Sequence, residues 1–267
     1  VIRIEPLSME DVRETAALPP GEWQDISPVL TAYITNRNCR PMKVVDSGRI
    51  IGTGTCIYHS NSAWLAHIIV QTEEQGRGVG RRLTEALVRQ VDRKQYPHLS
   101  LIATDAGAPL YTKLGFEVEM EYFACQVDPK EIDMNSPSDL EDYDGSWEHQ
   151  VYELDKAISG EGRRAMLQEY LDGGKLVTKA GALLGAYFPN LGDGLILADD
   201  VDAGKALMLY RMHEKENASF PVANAEAEQW MQSVNPKPLK RIRRMTLGKP
   251  VEWKPEGLFN RIGGHLG

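Results

Sequence analysis

The sequence predicts an α/β (α+β) protein, a mixed, twisted sheet flanked by helices and built in two tandem copies. Three observations carry this reading. Between residues 41 and 70, short strand-like apolar runs are separated by DSGR and HSNS, the pattern of strands joined by tight turns. From Val79 the spacing becomes helical, with Val79, Leu83, Ala86, Leu87 and Val91 on one face, and HLSLIAT then returns to a strand. Beyond residue 145 a similar order of elements begins again, a repeat of architecture without a repeat of sequence.

Composition narrows the functional classes. At 267 residues the chain has room for two ordinary domains, and 42% hydrophobic with 25% charged residues suits a folded globular protein. A formal net charge of −8 argues against nucleic acid as the main partner, which would need a broad basic face. It fits loosely with a cationic substrate, although solubility alone explains it. Cys39, Cys56 and Cys125 are odd in number and far apart, and no histidine pair has HExxH spacing, so neither a disulfide framework nor a metal site is expected. A reducing, cytoplasmic setting follows as the default, and the opening VIRIEPLSMEDVRETAAL has no signal pattern. Residues 50–72 carry no charge, but glycines, polar residues and the central HSNS make them a hairpin and not a membrane span.

Each element has a local reason. IRIEPL alternates as an opening strand, and SMEDVRETAAL follows with Ser8 at a plausible N-cap and acids in its first turn. Pro19, Pro20 and Gly21 stop it, and residues 27–36 place Val29, Leu30, Tyr33 and Ile34 on one helical face. After the three strands and the helix already described, APLYTKLGF holds a short helix ending at Gly115, and FEVEMEYFACQV is the last strand of the first half. Residues 128–145 are acidic and nearly free of apolar periodicity, the composition of a linker between residues 1–127 and 146–267. In the second half KLVTKAGALLGAYF, DGLILA, ASFPVA and KRIRRMTLG are strand-like, while RRAMLQEYL, DAGKALMLYRMHEK and NAEAEQWMQSV are helical. Arg241, Arg243 and Arg244 are expected on a solvated strand face.

The chemistry concentrates in QGRGVG, residues 75–80, between the WLAHIIV strand and the following helix. Amides gathered at a helix N-terminus form an anion site, glycine lets the backbone approach a phosphate, and Arg77, Arg81 and Arg82 add charge. A nucleotide P-loop needs GxxxxGK followed by Ser or Thr, which is absent, and a dinucleotide fingerprint needs glycine where Arg81 stands. The spacing resembles instead the acetyl-CoA loop of the GNAT N-acetyltransferases: Gln or Arg, two residues, Gly, one residue, then Gly or Ala. Here it is Gln75-Gly76-Arg77-Gly78-Val79-Gly80 after the strand end Ile68-Ile69-Val70. The family's downstream helix of the type A-x-x-(F/L)-Y-x-x-x-G-F is matched by Ala108, Leu110, Tyr111, Gly115 and Phe116 in APLYTKLGF. The resemblance covers residues 1 to about 127.

The resemblance implies roles. The backbone amides of residues 75–81 (Gln75, Gly76, Arg77, Gly78, Val79, Gly80, Arg81) would hold the CoA pyrophosphate, and Ile68, Ile69 and Val70 would offer backbone groups to the pantetheine arm. Tyr111 would be the general acid that protonates the thiolate leaving group. For the base, period two from Val70 puts Ile68, Ala66 and Trp64 on one face, so His67 points the other way unless a bulge re-aims it. Glu22, Glu73 and a water relay stay open beside His67. Lys113 reads as solvated, and Cys125 is not needed as a nucleophile.

The second half resembles the carboxy-terminal domain of tandem GNAT proteins in AYFPNLGDGLILADDVDAGKALM and LFNRIGGHLG. Its strand-to-helix connection, ADDVDAGKAL, lacks the loop spacing, and Asp199, Asp200 and Asp202 would repel a pyrophosphate, so this copy is expected to be degenerate. Asp193, Asp199 and Asp200 could instead draw a cationic amine, or simply be solvated. The implied activity is acetyl transfer from acetyl-CoA to the amine of a small molecule by direct attack in a ternary complex. The implied enzyme has no metal, no nucleic-acid partner and no membrane partner, and is a monomer or homodimer. A protein acetyltransferase and a non-catalytic acyl-CoA sensor are the alternatives.

Overall fold

A computed structural model describes residues 1–19, 25–132, 140–239 and 241–264 of the chain. Strand β1 (Arg3–Pro6) leads into a 3-10 turn at Met9–Asp11 and a short helix α1 (Val12–Thr15). Ser8 sets that turn, donating from its backbone N and its Oγ to Asp11 Oδ2 at 2.8 and 2.7 Å. Helix α2 (Ser27–Thr35) has Pro28 in its first turn and buries Leu30 and Tyr33. Then come β2 (Cys39–Asp46), β3 (Arg49–Tyr58) and β4 (Ser62–Val70), an antiparallel meander that includes the expected hairpin. Among the described residues no helix is long and apolar enough to cross a membrane.

Helix α3 (Val79–Gln90) lays Val79, Leu83 and Leu87 on the sheet, and this crossover brings β5 (His98–Thr104) beside β4 in parallel. Helix α4 (Ala108–Lys113) and β6 (Glu117–Gln126) complete the first half. The second half runs β7 (Glu141–Asp142), α5 (Glu148–Ser159), α6 (Arg164–Leu167), β8 (Lys175–Lys179), β9 (Ala182–Phe188), β10 (Leu195–Ala198) and α7 (Val201–Met212). It continues through β11 (Asn217–Pro221), α8 (Ala225–Gln232), β12 (Lys237–Pro238), β13 (Ile242–Gly248) and β14 (Leu258–Asn260).

The two sheets do not follow the expected division at residue 127. The larger sheet has the order β1-β2-β3-β4-β5-β13-β6-β11, with β12 also on β6, and the smaller one β14-β10-β9-β8-β7. Strand β13 thus leaves the second half to fill the gap between β5 and β6, pairing Met245 with Leu101 on one side and Val118 on the other. The region expected to be a linker is also narrower than 128–145. Ile132 is buried in the core, and Glu141 and Asp142 form β7 against β8. Compositional cues mark where the chain changes character, but they say nothing of which sheet a later strand joins.

The core is continuous across the halves. On one face of the larger sheet Leu30, Tyr33, Ile57 and Trp64 share a cluster with Leu167, Leu171, Phe188 and Leu191. The opposite face packs under α3 and α4 and includes Leu83, Leu87, Tyr111 and Phe116. Arg244 corrects the expectation of a solvated basic strand. It is 3% exposed, donates to Glu119 Oε2 at 3.1 Å and Glu161 Oε1 at 3.3 Å, and lies between the rings of Trp64 and Trp253 at 5.0 and 4.6 Å. Arg243 pairs with Asp105 at 2.6 Å, and Arg241 is exposed. A strand flanked by two others leaves no solvated face next to a second packed half.

Candidate active site

The site begins where two strands part. The β4–β5 ladder runs from Ser62↔His98 to Leu65↔Leu101 and stops, while β4 continues to Val70 and β5 to Thr104. Past Leu65 the β4 edge that faces β5 therefore has backbone groups with no ladder partner.

The same stretch carries a bulge. Thr53 pairs with Ile69 and Thr55 with Ala66, so two steps on β3 oppose three on β4. His67 absorbs the extra residue at φ +46°. The expected face of Ile68, Ala66 and Trp64 is therefore corrected: Ile69 joins Ala66 and Trp64, and Ile68 packs on the α3 side. His67 is re-aimed to α2, where its Nδ1 lies 2.9 Å from the Tyr33 hydroxyl. Burial lowers the His67 pKa to about 4, and it holds the Tyr33 phenol well above the usual range. The imidazole is neutral at neutral pH and the phenol keeps its proton.

Directly after β4, a 3-10 turn at Thr72–Glu74 leads into the glycine loop. Gly76 and Gly78 take φ of +74° and +80°, conformations that cost other residues energy. Gly78 is the N-cap of α3 and provides no side-chain acceptor. Among the described residues, the amides of residues 76–81 donate to no protein group, so they form a cradle of open donors at a positive dipole end. The Gln75 side chain ties the loop to β4, donating to the Val70 carbonyl at 3.1 Å. Val79 gives its side chain to the core and only its amide to the cradle. The arginines are less free than their number suggests. Arg77 is paired with the buried Glu74, and Arg81 donates to Glu85 at 2.8 Å, while Arg82 is exposed.

Tyr111 stands on α4, 8% exposed, with its ring edge-on to Phe116 at 6.0 Å. Burial pushes its phenol up to about 12, so it carries a proton it can donate. Glu73 and Lys113 are exposed on the surface, and Glu22 lies outside the described residues. Cys125 is buried on β6 with its thiol pushed up to about 11 by burial, poorly suited to nucleophilic attack. No cluster of three or more metal-ligating side chains occurs among the described residues.

The second half differs at both corresponding places. Strand β14 pairs with β10 and also reaches β11, where Arg261 N donates to the Ser219 carbonyl at 2.8 Å and Ser219 N to Asn260 Oδ1 at 2.9 Å. The space between β10 and β11 is thus filled by chain. At the N-terminus of α7 the Asp200 carboxylate accepts from Ala203 N at 2.9 Å. The Phe259 ring lies so close to Gly204 that a Cβ there would fall 2.3 Å from it. Asp199 and Asp193 sit 3.8 and 3.9 Å from Lys254 and Arg261. Sequence reasoning finds the acids at this connection but misses both the self-capping and the inserted strand.

A cavity of about 420 Å³ lies between α2 and the second half. Tyr33, Tyr58, Glu169, Tyr170 and Asn190 are among its lining residues. Pattern reading misses it, because part of its wall comes from residues more than a hundred positions along the chain.

Residues 39–118 match the family model of the acetyltransferase (GNAT) domain. That stretch is similar to a GNAT domain. Over 63 residues it is 35% identical to the chloroplastic GCN5-related N-acetyltransferase 2 of Arabidopsis thaliana, a stretch covering 24% of this chain and 24% of that protein. The chain thus spans about a quarter of the curated relative it matches. Solved structures share the fold over nearly the whole chain. A candidate acetyltransferase from Pyrococcus horikoshii superposes with a TM-score of 0.83 at 19% identity, covering 100% of this chain and 96% of its own. A tandem GNAT protein from the clavulanic acid biosynthesis pathway gives 0.63 at 13% identity, covering 94% and 100%. A GCN5-related N-acetyltransferase from Sphaerobacter thermophilus gives 0.64 at 12% identity, covering 95% and 98%. The architecture is the GNAT fold, a mixed twisted sheet flanked by helices.

Proposed function

We propose that the chain is an N-acetyltransferase that moves an acetyl group from acetyl-CoA to the amine of a small molecule by direct attack in a ternary complex. One arrangement carries this: the parted β4 and β5, the open amides of residues 76–81 and the neutral His67 belong to one crossover and its bulge, and the protonated Tyr111 follows on α4 directly after β5. Bound acetyl-CoA would supply an acetyl group activated as a thioester. The residues present fit it, with unpartnered amides for a pyrophosphate and a β4 edge for an amide-bearing arm.

The chain's own groups then divide the proton work. His67 accepts the proton that the amine loses as its nitrogen bonds to the acetyl carbon, and Tyr33 holds the imidazole in place. Tyr111 gives its phenolic proton to the sulfur as the carbon–sulfur bond breaks. The second half, with its helix capped by Asp200 and its strand gap filled by β14, acts as a degenerate copy that closes the acceptor side. That closure favours a small molecule over a protein chain, because the cavity is walled by both halves.

The test is thiol release from acetyl-CoA against a panel of small amines, peptides and no acceptor, with calorimetry of CoA binding alongside. Amine-dependent thiol release with acetylated product is the expected result. CoA binding without thiol release for any amine would overturn catalysis in favour of a sensor, and release only with peptides would overturn the small-molecule assignment.

A further inference from the structure

The cavity between the halves has a chemistry of its own. Tyr33 forms one wall, and its hydroxyl reaches His67 at 2.9 Å, so the cavity adjoins the reacting centre through one side chain. Tyr58 comes from β3, Glu169 and Tyr170 follow α6, and Asn36 and Asn190 add amide groups. Its volume of about 420 Å³ suits a small organic ligand.

The lining is electrostatically one-sided. No lysine or arginine is among the lining residues, and Glu169 is the formal charge they contribute. Arg40, beside the cavity residue Cys39, turns away and donates to the carbonyls of Arg37 and Cys39 at 2.6 and 2.8 Å. His59, also in the lining, is kept neutral by burial, which lowers its pKa to about 4. Glu169 is exposed and makes no ion pair among the described residues, so its charge is available to a ligand. The tyrosines Tyr33 and Tyr170 of the same wall add rings that attract cations, whereas the Tyr58 ring packs on Tyr96 at the α3 side of the sheet.

We propose that this cavity receives the remote end of the acceptor and that this end is a cation: the substrate is a small primary amine with a second positively charged nitrogen, selected by Glu169 and the rings of Tyr33 and Tyr170. A remote carboxylate meets Glu169 and is disfavoured, and a remote alkyl group gains nothing from that charge. The assignment of which nitrogen reacts rests on the acetyltransferase reading; binding of the cationic end does not.

The experiment uses linear diaminoalkanes of increasing length, monoamines of the same length and amino acids of the same length. Binding is measured by calorimetry in the presence of CoA, and turnover by thiol release from acetyl-CoA. Diamines of the matching length should bind about three- to fivefold more tightly than the monoamines, the scale of one exposed charge pair. Glu169→Gln should erase that preference in Kd and raise the diamine KM with little change in kcat, and Glu169→Lys should turn the preference toward the amino acids. Unchanged thermal midpoints would show that both variants fold. Equal binding of diamines and monoamines, or a preference that survives Glu169→Gln, would overturn the proposal. Diamine binding lost in Glu169→Gln without thiol release would overturn only the acetyltransferase reading, and transfer to amines without a diamine preference would overturn only the cavity assignment.

Discussion

In the proposed reaction Tyr111 and His67 would be opposite solutions to one problem, moving a proton near neutral pH with groups whose pKa values burial has shifted. Tyr111, pushed up to about 12, stays protonated and is available as a proton donor, whereas His67, lowered to about 4, stays neutral and has a ring nitrogen available as a proton acceptor. Replacing Tyr111 with Phe removes the donor and keeps the ring packed on Phe116. Turnover should therefore fall by about a hundredfold while CoA affinity changes little. Equal turnover would remove Tyr111 from the mechanism. For His67 the pH profile is the sharper probe. With an amine that remains reactive in mild acid, the enzyme's acid limb should lie near pH 4, because only below that is His67 protonated and unable to accept. A limb near 6.5 that vanishes in His67→Gln would show an imidazole titrating as if exposed, contrary to the geometry. Tyr111 was legible from its place in APLYTKLGF. The orientation of His67 was not, since an alternating pattern cannot show a bulge whose evidence is the pairing of Thr53 with Ile69 and Thr55 with Ala66.

At the scale of elements, the glycine loop is a helix N-terminus stripped of every internal partner. The comparison with α7 shows what that costs: there Asp200 caps the helix, and here Gly78 leaves α3 uncapped. Replacing Gly78 with Ala forces a side chain into φ +80°, although no atom lies within 4 Å of the new Cβ. The expected loss is about 1 kcal/mol of stability from backbone strain alone, with a weaker affinity for CoA because the amides lose their alignment. Denaturant unfolding and calorimetry on the same variant separate the two effects, and unchanged CoA affinity would exclude this loop from binding. Most elements could be read from the sequence because their signals are local: Ser8 before α1, helical spacing in α3, two turns between β2, β3 and β4. Strand β13 could be recognised as a strand but not placed. The alternation in KRIRRMTLG is the same whether its neighbours are β10 and β11 or β5 and β6, and only long-range packing chooses. The burial of Arg244 was hidden for the same reason.

For the whole molecule, the inserted strand ties the second half into the larger sheet, and the two halves are expected to unfold as one cooperative unit. Its Arg244 bridges Glu119 of the first half and Glu161 of the second beneath Trp64, whose indole N–H donates to the same Glu161 at 2.8 Å. Acid should loosen this unit. The His59 pKa, lowered to about 4 by burial, lies below the unfolded value near 6.5, so the unfolded chain binds more protons in that interval. Stability is then complete above pH 6.5 and falls as pH drops through 4, with His67 contributing in the same direction. Removing the bridge tests the unit directly. Arg244→Met keeps much of the bulk between the two tryptophan rings but leaves two carboxylates facing each other in the core, a change expected to cost about 3 kcal/mol or more. Because β13 is hydrogen-bonded to β5 and β6 while its neighbours in sequence belong to the second half, that loss should appear equally in both halves. Hydrogen exchange of β5 and β6 amides and of β8 to β10 amides should slow or quicken together, and residues 1–127 alone, with the space between β5 and β6 empty, should not fold. Independent exchange of the two groups, or a folded 1–127 fragment, would show that the halves are separable and that β13 is a clasp added to a finished sheet.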